Sequence, residues 1–309
     1  MGMAWYHTQK VCPGPSVSST GLRTLAMKSP HAFWKTWDGN PKRYPKKDDG
    51  DSLILGKAAH ALILGDEVFD EHIIYVPEDA PRKLTATQIK AFERDGEWSE
   101  AAKDGAEFWA AFDEKAQGRL LLKHEQVEKI MYMSENLAAN KLAVEVLTSD
   151  LIEISMIWRD EQTGIWVKSR PDCLPSNGFD FGDLKTFAPK GGDIELAAMR
   201  ATTDHSYAMQ MALAIEGAEQ TLGHTAQRCA LVFLQTSEPY EVIPVEIDEE
   251  ALYWARVLCR HGLNLMKHGL DTGEWPGMAS AMKKYSYPPS LLHRFAEMQR
   301  EGLIPSMEA

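Results

Sequence analysis

Cysteine is scarce in this chain of 309 residues, and its few positions are far apart. The four cysteines stand at positions 12, 173, 229 and 259, so they form no CxxC pair and have no metal-ligand spacing. This distribution argues against a structural zinc site and against an iron–sulfur cluster. In a reducing compartment we expect four free thiols.

Long apolar runs are also missing. No run reaches the roughly 18–20 apolar residues that a membrane span needs. Residues 1–10 lack the apolar core of a signal peptide. The composition, with 44% hydrophobic and 25% charged residues, is that of an ordinary folded chain. We therefore expect a cytoplasmic protein that does not associate with membranes.

Basic residues are in the minority: 33 lysines and arginines face 45 acidic residues, giving a net charge of −12. Such a balance counts against a protein that binds nucleic acid through a broad basic surface. It counts less against one whose carboxylates hold a metal ion, because the metal can then meet phosphate. The densest basic stretch, with Lys42, Arg43, Lys46 and Lys47, is either a nucleic-acid contact or a solvated loop.

Several catalytic motifs are absent as well. The chain has no GxxxxGK[ST] loop, so ATP-driven unwinding is not encoded here. It has no GxGxxG loop and no GxSxG nucleophile elbow. The segment HEQVE at 124–128 departs from HExxH, which excludes a zinc protease of that type.

The order of apolar patterns predicts an α/β protein. Helices are expected over 18–37 with a break at Ser29-Pro30, over 52–65, over two stretches of 107–147, over 204–220 and from an Asp248 cap through Lys267, closed near Gly269. Strands are expected over 153–158, 165–174, 179–187, 228–236 and 241–247. Residues 77–106 are expected to form a surface insertion with short helices, and 271–309 a covering arm with a final short helix. A strand meander followed by a helical crossover predicts a sheet of mixed direction.

The segment GDLKTF carries the most informative chemistry. Strand side chains alternate, so Asp183 and Lys185 share one face while Leu184 points to the other. Asp172 ends the preceding strand, and the turn Ser176-Asn177-Gly178 returns the chain, so the two aspartates are expected to meet at one end of a hairpin. Adjacent carboxylates repel each other unless a cation neutralises them.

Hard oxygen ligands favour Mg²⁺ or Mn²⁺, and such a metal polarises a phosphodiester and activates water. A neighbouring lysine can orient that water or stabilise developing charge. The pattern therefore predicts a metal-dependent phosphodiester hydrolase. The alternative is a surface hairpin in which aspartate and lysine form a weak salt bridge.

The spacing RPD-x(10)-DLKT, preceded by the Glu153 strand and the GKAAH helix, resembles the PD-(D/E)xK nuclease superfamily. Within that superfamily, the chain resembles the RecE-like, exonuclease VIII-type phage and prophage nucleases over about Ser18 to Pro288-Pro289. It implies a restriction-endonuclease-like core, with a central mixed β-sheet flanked by helices plus helical N-terminal and insertion segments. It also implies one nuclease domain over 1–309, made of a mainly helical part (18–150), the core (151–247), and a C-terminal helix with its covering arm (248–309).

The same resemblance implies an activity and partners. It implies a Mg²⁺-dependent 5′→3′ exodeoxyribonuclease on linear double-stranded DNA, with Mn²⁺ as a substitute. The product would be 3′ single-stranded tails for recombination by strand annealing. The implied partners are DNA ends, further copies of the chain in a ring and a single-strand annealing protein, in a bacterial host with a phage or prophage origin.

The resemblance also assigns roles to residues of this chain. The implied metal ligands are His60, Asp172, Asp183, the backbone carbonyl of Leu184 and, less firmly, Glu153. Lys185 corresponds to the catalytic lysine. Tyr207 and Gln210, which share a helix face at i, i+3, correspond to a Y-x-x-Q pair that orients the motif or a terminal phosphate.

Each assignment has a plainer alternative. His60 is otherwise a core histidine, Glu153 a surface acid at a strand end, and Tyr207 and Gln210 a packing ring and a solvent-facing amide. Arg170, Lys190 and Arg200 are further candidates for phosphate contacts, and Arg170 alternatively pairs with an acid.

Two other functions stay open. The same fold hosts endonucleases, which would cut closed circular DNA, whereas an exonuclease leaves it whole. A catalytically inactive module that binds DNA ends or a recombination partner is the second alternative. The complete set of two aspartates and a lysine argues against it, since binding alone does not need all three.

Overall fold

The computed structural model of the chain describes residues 3–45, 51–63, 73–95, 98–117, 119–149, 151–174, 181–189, 191–225, 228–279, 282 and 284–305. Its helices are α1 (Met3–Tyr6), α2 (Ser19–Met27), α3 (Pro30–Thr36), α4 (Asp51–Ile63), α5 (Ala86–Asp95), α6 (Glu100–Ala116), α7 (His124–Ala139), α8 (Lys141–Leu147), α9 (Ile194–Asp204), α10 (Tyr207–Leu222), α11 (Glu249–Thr272) and α12 (Pro289–Arg300). Its strands are β1 (Ser16–Ser18), β2 (Ile73–Tyr75), β3 (Leu120–Leu122), β4 (Leu151–Ile152), β5 (Met156–Arg159), β6 (Trp166–Ser169), β7 (Cys173–Leu174), β8 (Phe181–Phe187), β9 (Cys229–Gln235) and β10 (Val242–Glu246).

A five-stranded sheet with the order β10-β9-β8-β7-β4 forms the centre of the fold. Strands β8 and β9 run parallel, joined by the crossover through α9 and α10, while the other pairs are antiparallel. The predicted α/β fold with a central sheet of mixed direction is therefore confirmed. A second sheet, β1-β6-β5, and a parallel pair, β2-β3, complete the strands.

Strand β9 lies in the middle of the sheet and is buried at every residue. Leu231 and Phe233 belong to the core that includes buried residues of α10 and α11, whereas Val232 and Leu234 belong to the core that includes α4, α7 and α8. This continuous apolar run is typical of a strand covered on both faces. Helices therefore flank both faces of the sheet, as predicted.

The prediction of one continuous strand over 165–174 is wrong. Strand β6 pairs with β5 and β1, and the chain then crosses to the other sheet, where β7 pairs with β4 and β8. Pro171 lies in the gap between β6 and β7 and has no N–H to donate to a ladder. Asp172 consequently lies at the junction between the two sheets.

Two helix boundaries also differ from the prediction. The helix expected over 204–220 is α10, which begins only at Tyr207 because Ser206 has a φ of +50° and interrupts the helical path; α9, which precedes it, lies outside the predicted range except for Asp204. The prediction that α11 ends near Gly269 is wrong. The helix continues to Thr272 and is capped by Gly273, which has a left-handed φ of +76°. Its Asp248 cap is confirmed, since the carboxylate accepts a 2.7 Å hydrogen bond from the N–H of Ala251.

The segment after α11 returns to the N-terminal helices. The Trp275 ring stacks on that of Trp34 with centroids 4.7 Å apart, so this part of the tail covers α3 as expected. All four cysteines are buried free thiols. Within the described part of the chain, no helix combines the length and apolarity that crossing a bilayer would require.

Gly182 lets helix α8 approach strand β8. A Cβ at this position would lie 2.3 Å from the carbonyl oxygen of Val146 and 3.0 Å from its Cγ1. We expect Gly182→Ala to lower the free energy of unfolding by about 2 kcal/mol, because backbone on both sides must shift. Gly277→Ala is the matched control, since nothing lies within 4 Å of its Cβ position. Equal urea midpoints for the two variants would contradict this packing.

Candidate active site

Beyond Gly182, the edge of β8 that pairs with β7 forms hydrogen bonds with side chains instead of with a strand. Strand β7 pairs with β8 at Cys173 and Gly182. One step further, the N–H of Leu184 donates a 2.7 Å hydrogen bond to Oδ2 of Asp172. The carbonyl oxygen of Leu184 lies 2.7 Å from Nε2 of His60. Asp172 and His60 thus meet at the backbone of the residue between Asp183 and Lys185.

Asp183 and Lys185 share the face of β8 that looks toward α10. The Asp183 side chain is fully buried, and its Oδ1 accepts a 2.6 Å hydrogen bond from Nε2 of Gln210. Its Oδ2 accepts a hydrogen bond from Nζ of Lys185. The same ammonium lies 4.8 Å from the centroid of the Tyr207 ring. The structure therefore gathers Tyr207 and Gln210, one turn apart on α10, around the aspartate–lysine pair.

Helix α4 packs closely against β8 and thereby places His60 in the site. A Cβ on Gly56 would lie 2.8 Å from Oγ1 of Thr186, so α4 sits directly against β8. His60 follows four residues later on the same helix face. Its Nδ1 lies 3.6 Å from Oδ2 of Asp172. The ring contacts polar groups of the site, which sets it apart from a histidine packed only among apolar side chains.

The site carries two carboxylates and a single ammonium in a buried setting. Burial and the charge of Asp183 together raise the pKa of Asp172 to about 6, although His60 and Lys185 oppose this rise. Burial alone would lower the pKa of Lys185, but the charges of Asp183 and Asp172 outweigh burial and raise it. A proton or another cation is therefore favoured beside Asp172.

The donor set fits a small divalent cation. Asp172 and Asp183 supply carboxylate oxygens and Leu184 supplies a carbonyl, which are the hard ligands that Mg²⁺ prefers. Among the residues that the structure describes, no three His, Cys, Asp or Glu side chains form a complete metal cluster. Mg²⁺ keeps several waters and is commonly bound through one or two carboxylates and substrate phosphates, so two aspartates are enough carboxylate ligands for it.

Glu153 lies near Asp172 but faces another partner. It has a φ of +49°, and its N–H donates a 2.8 Å hydrogen bond to the carbonyl of Asp172. Its carboxylate accepts a 2.7 Å hydrogen bond from Arg170, whose other terminal nitrogen donates to Ser155. Of the two interpretations of Arg170, the structure shows the acid pair. We therefore leave Glu153 outside the set of proposed metal ligands.

The structure describes only some of the remaining basic candidates. Arg200 is exposed on α9, and Arg43 pairs with Asp38. Lys46, Lys47 and Lys190 lie outside the described residues, as does the turn predicted at 176–178.

Arg23 is a neighbour of the site that the sequence did not single out. From α2 its guanidinium donates 2.8 Å to the carbonyl of His205 and 3.1 Å to Oγ1 of Thr20. It lies 5.6 Å from the centroid of the Tyr207 ring. A lone arginine in an amphipathic helix gives no sequence signal of this position, because the contact spans 182 residues of chain.

The chain is similar to known proteins in sequence pattern and in fold. A family model described as "PDDEXK-like domain of unknown function (DUF3799)" matches residues 18–285. A crystal structure from Eubacterium rectale, described as a "Putative exonuclease", superposes with a TM-score of 0.58 over 96% of this chain and 98% of the other. The two sequences are 11% identical, so that likeness shows the fold alone. No curated protein sequence matches the chain.

Proposed function

We propose that this chain, which belongs to the PDDEXK-like family DUF3799 and hence to the PD-(D/E)xK nuclease superfamily, is a Mg²⁺-dependent exodeoxyribonuclease on linear double-stranded DNA. One observation carries the proposal: Asp172 and His60 meet the backbone of Leu184 between a buried Asp183 and Lys185. A surface salt bridge would not need a buried carboxylate, a second carboxylate and a histidine at one strand edge.

The residues have separable roles in phosphodiester hydrolysis. Asp172, Asp183, the Leu184 carbonyl and His60 would hold the cation. When bound, Mg²⁺ supplies positive charge next to the phosphate and lowers the pKa of a coordinated water. Lys185 presents its ammonium to the attacking water and to the charge that develops on the phosphoryl oxygens. Gln210 fixes the Asp183 carboxylate through its 2.6 Å hydrogen bond, and the Tyr207 ring limits where the ammonium can move.

Further parts of the proposal rest on the RecE-like resemblance. They are 5′→3′ polarity, 3′ single-stranded tails for strand annealing, Mn²⁺ as a substitute metal, a ring of several copies and a partner annealing protein. Because the chain has a net charge of −12, we favour a local contact with DNA through a metal ion over a contact through a broad basic surface.

Metal dependence and end dependence can be tested together. We expect linear duplexes labelled at the 5′ or the 3′ end to be degraded with Mg²⁺ or Mn²⁺ and to survive in EDTA, with the 5′ label released first. A covalently closed circle of the same sequence should stay intact, because it offers no end. Cutting of the circle would favour an endonuclease on this fold. Retention of both labels in every metal, with the duplex still bound, would favour the inactive binding module and contradict the proposed function.

A further inference from the structure

Arg23 carries a partly buried positive charge beside the site. Its two terminal nitrogens donate to a carbonyl and a hydroxyl, those of His205 and Thr20. Its Nε is buried and has no hydrogen-bond partner. Among the described residues, no carboxylate forms an ion pair with this charge.

This arrangement is costly for the free protein. Charged groups are seldom buried unless an opposite charge or a full set of hydrogen bonds compensates them. Burial lowers the pKa of Arg23, yet a guanidinium stays protonated, so the charge persists. Each terminal nitrogen uses one N–H in its hydrogen bond to His205 or Thr20 and keeps a second, and such a planar fork matches the oxygens of a phosphate.

The position of Arg23 points to the substrate strand. Arg23 and Lys185 approach the same Tyr207 ring, at 5.6 Å and 4.8 Å from its centroid. Burial lowers the pKa of Arg23, and the charge of Asp183 is among the effects that oppose this lowering. A DNA strand whose scissile phosphate faces Lys185 would bring an adjoining phosphate toward Arg23.

We propose that Arg23 binds a phosphate of the DNA strand next to the scissile bond and so sets the position of that strand. The inference rests on the proposed function, because that function brings DNA to β8. The phosphate is either the terminal monoester of a DNA end or an internal diester, and both offer the same oxygens. The competing explanation is structural: Arg23 only caps the carbonyl of His205 at the end of α9.

The test measures DNA binding in EDTA, where cleavage cannot interfere, across a series of salt concentrations. The proteins are wild type, Arg23→Gln, Arg23→Lys and the control Arg256→Gln, which removes the same charge from an exposed position on α11. The probes are short duplexes with 5′-phosphate or 5′-hydroxyl ends.

We expect Arg23→Gln to bind about tenfold more weakly, because one charged hydrogen-bonded contact is lost. The slope of log K against log salt should become less negative by about 0.9, the contribution of one phosphate contact to duplex DNA. Arg23→Lys should keep the wild-type slope with reduced affinity, since it keeps the charge and loses the fork. Arg256→Gln should match wild type.

A loss confined to 5′-phosphorylated duplexes assigns the terminal monoester, and a loss on both probes assigns an internal diester. Equal slopes for wild type and Arg23→Gln, or no salt-dependent binding by either, overturn the proposal. A purely structural role would lower the melting temperature without changing the slope. Failure of the proposed function is recognised separately. In that case the wild-type protein releases no nucleotide with Mg²⁺, whatever the slopes of log K against log salt are.

Discussion

The Asp183→Asn variant is expected to hydrolyse DNA about a thousandfold more slowly than wild type while it keeps its fold. Asparagine retains an oxygen that can accept the 2.6 Å hydrogen bond from Gln210. It removes the negative charge that faces Lys185 and that would hold the divalent cation together with Asp172. The measurement is single-turnover release of nucleotide from an end-labelled duplex with Mg²⁺, and thermal unfolding reports the fold.

Asp248→Asn is the matched control for this variant. Asp248 caps α11 by accepting a hydrogen bond from the N–H of Ala251, and asparagine caps a helix equally well. The same chemical change should therefore leave activity at the wild-type rate. Full activity in a folded Asp183→Asn variant would remove Asp183 from the site. A comparable loss in both variants would mean that the effect is not specific to β8.

The centre of the site could be predicted because strand geometry is local. Side chains two residues apart on a strand share a face, so the shared side of Asp183 and Lys185 follows from their spacing alone. The helix spacing of Tyr207 and Gln210 is equally local, and both residues do meet this pair. What spacing alone did not supply was the identity of the partners across elements, for which the resemblance was needed.

The break at Pro171 could not be read from the pattern. Residues 165–174 consist of an apolar stretch (165–167), a polar stretch that contains Pro171 (168–172) and an apolar pair (173–174), and this pattern does not show that the pairing partners change after Ser169. Pairing depends on strands remote in sequence; β1, for example, lies about 150 residues before its partner β6. At three residues, β1 is also too short to show a period of its own.

Unpredicted contacts of single side chains have the same origin. Glu153 pairs with Arg170 from a backbone conformation of positive φ, which the sequence does not predict for a glutamate. Arg23 reaches His205 only after α2 has packed against the helices that follow β8. Local periodicity therefore located the reacting groups, and tertiary packing decided which charges surround them.

Lys185→Met is expected to separate the two roles of the ammonium, one in stability and one in catalysis. The lysine side chain is 14% exposed and pairs with an Asp183 carboxylate that is fully buried. Methionine is a flexible apolar residue of similar reach, so the packing against Tyr207 is largely retained. Without the ammonium, Asp183 and Asp172 are left as neighbouring carboxylates. The free energy of unfolding in EDTA should fall by about 3 kcal/mol, as when one partner of a buried ion pair is removed.

Adding Mg²⁺ should then restore much of that stability, because a cation that binds only the folded state stabilises it by mass action. It should not restore catalysis: the rate should stay about a hundredfold or more below wild type, since the metal does not replace the positioned ammonium. Lys267→Met is the control, because its pair with Asp271 on α11 is exposed and contributes little. Urea unfolding with and without Mg²⁺, beside the nuclease assay, gives both readouts. If Mg²⁺ does not raise the free energy of unfolding of Lys185→Met, the two aspartates do not share a cation.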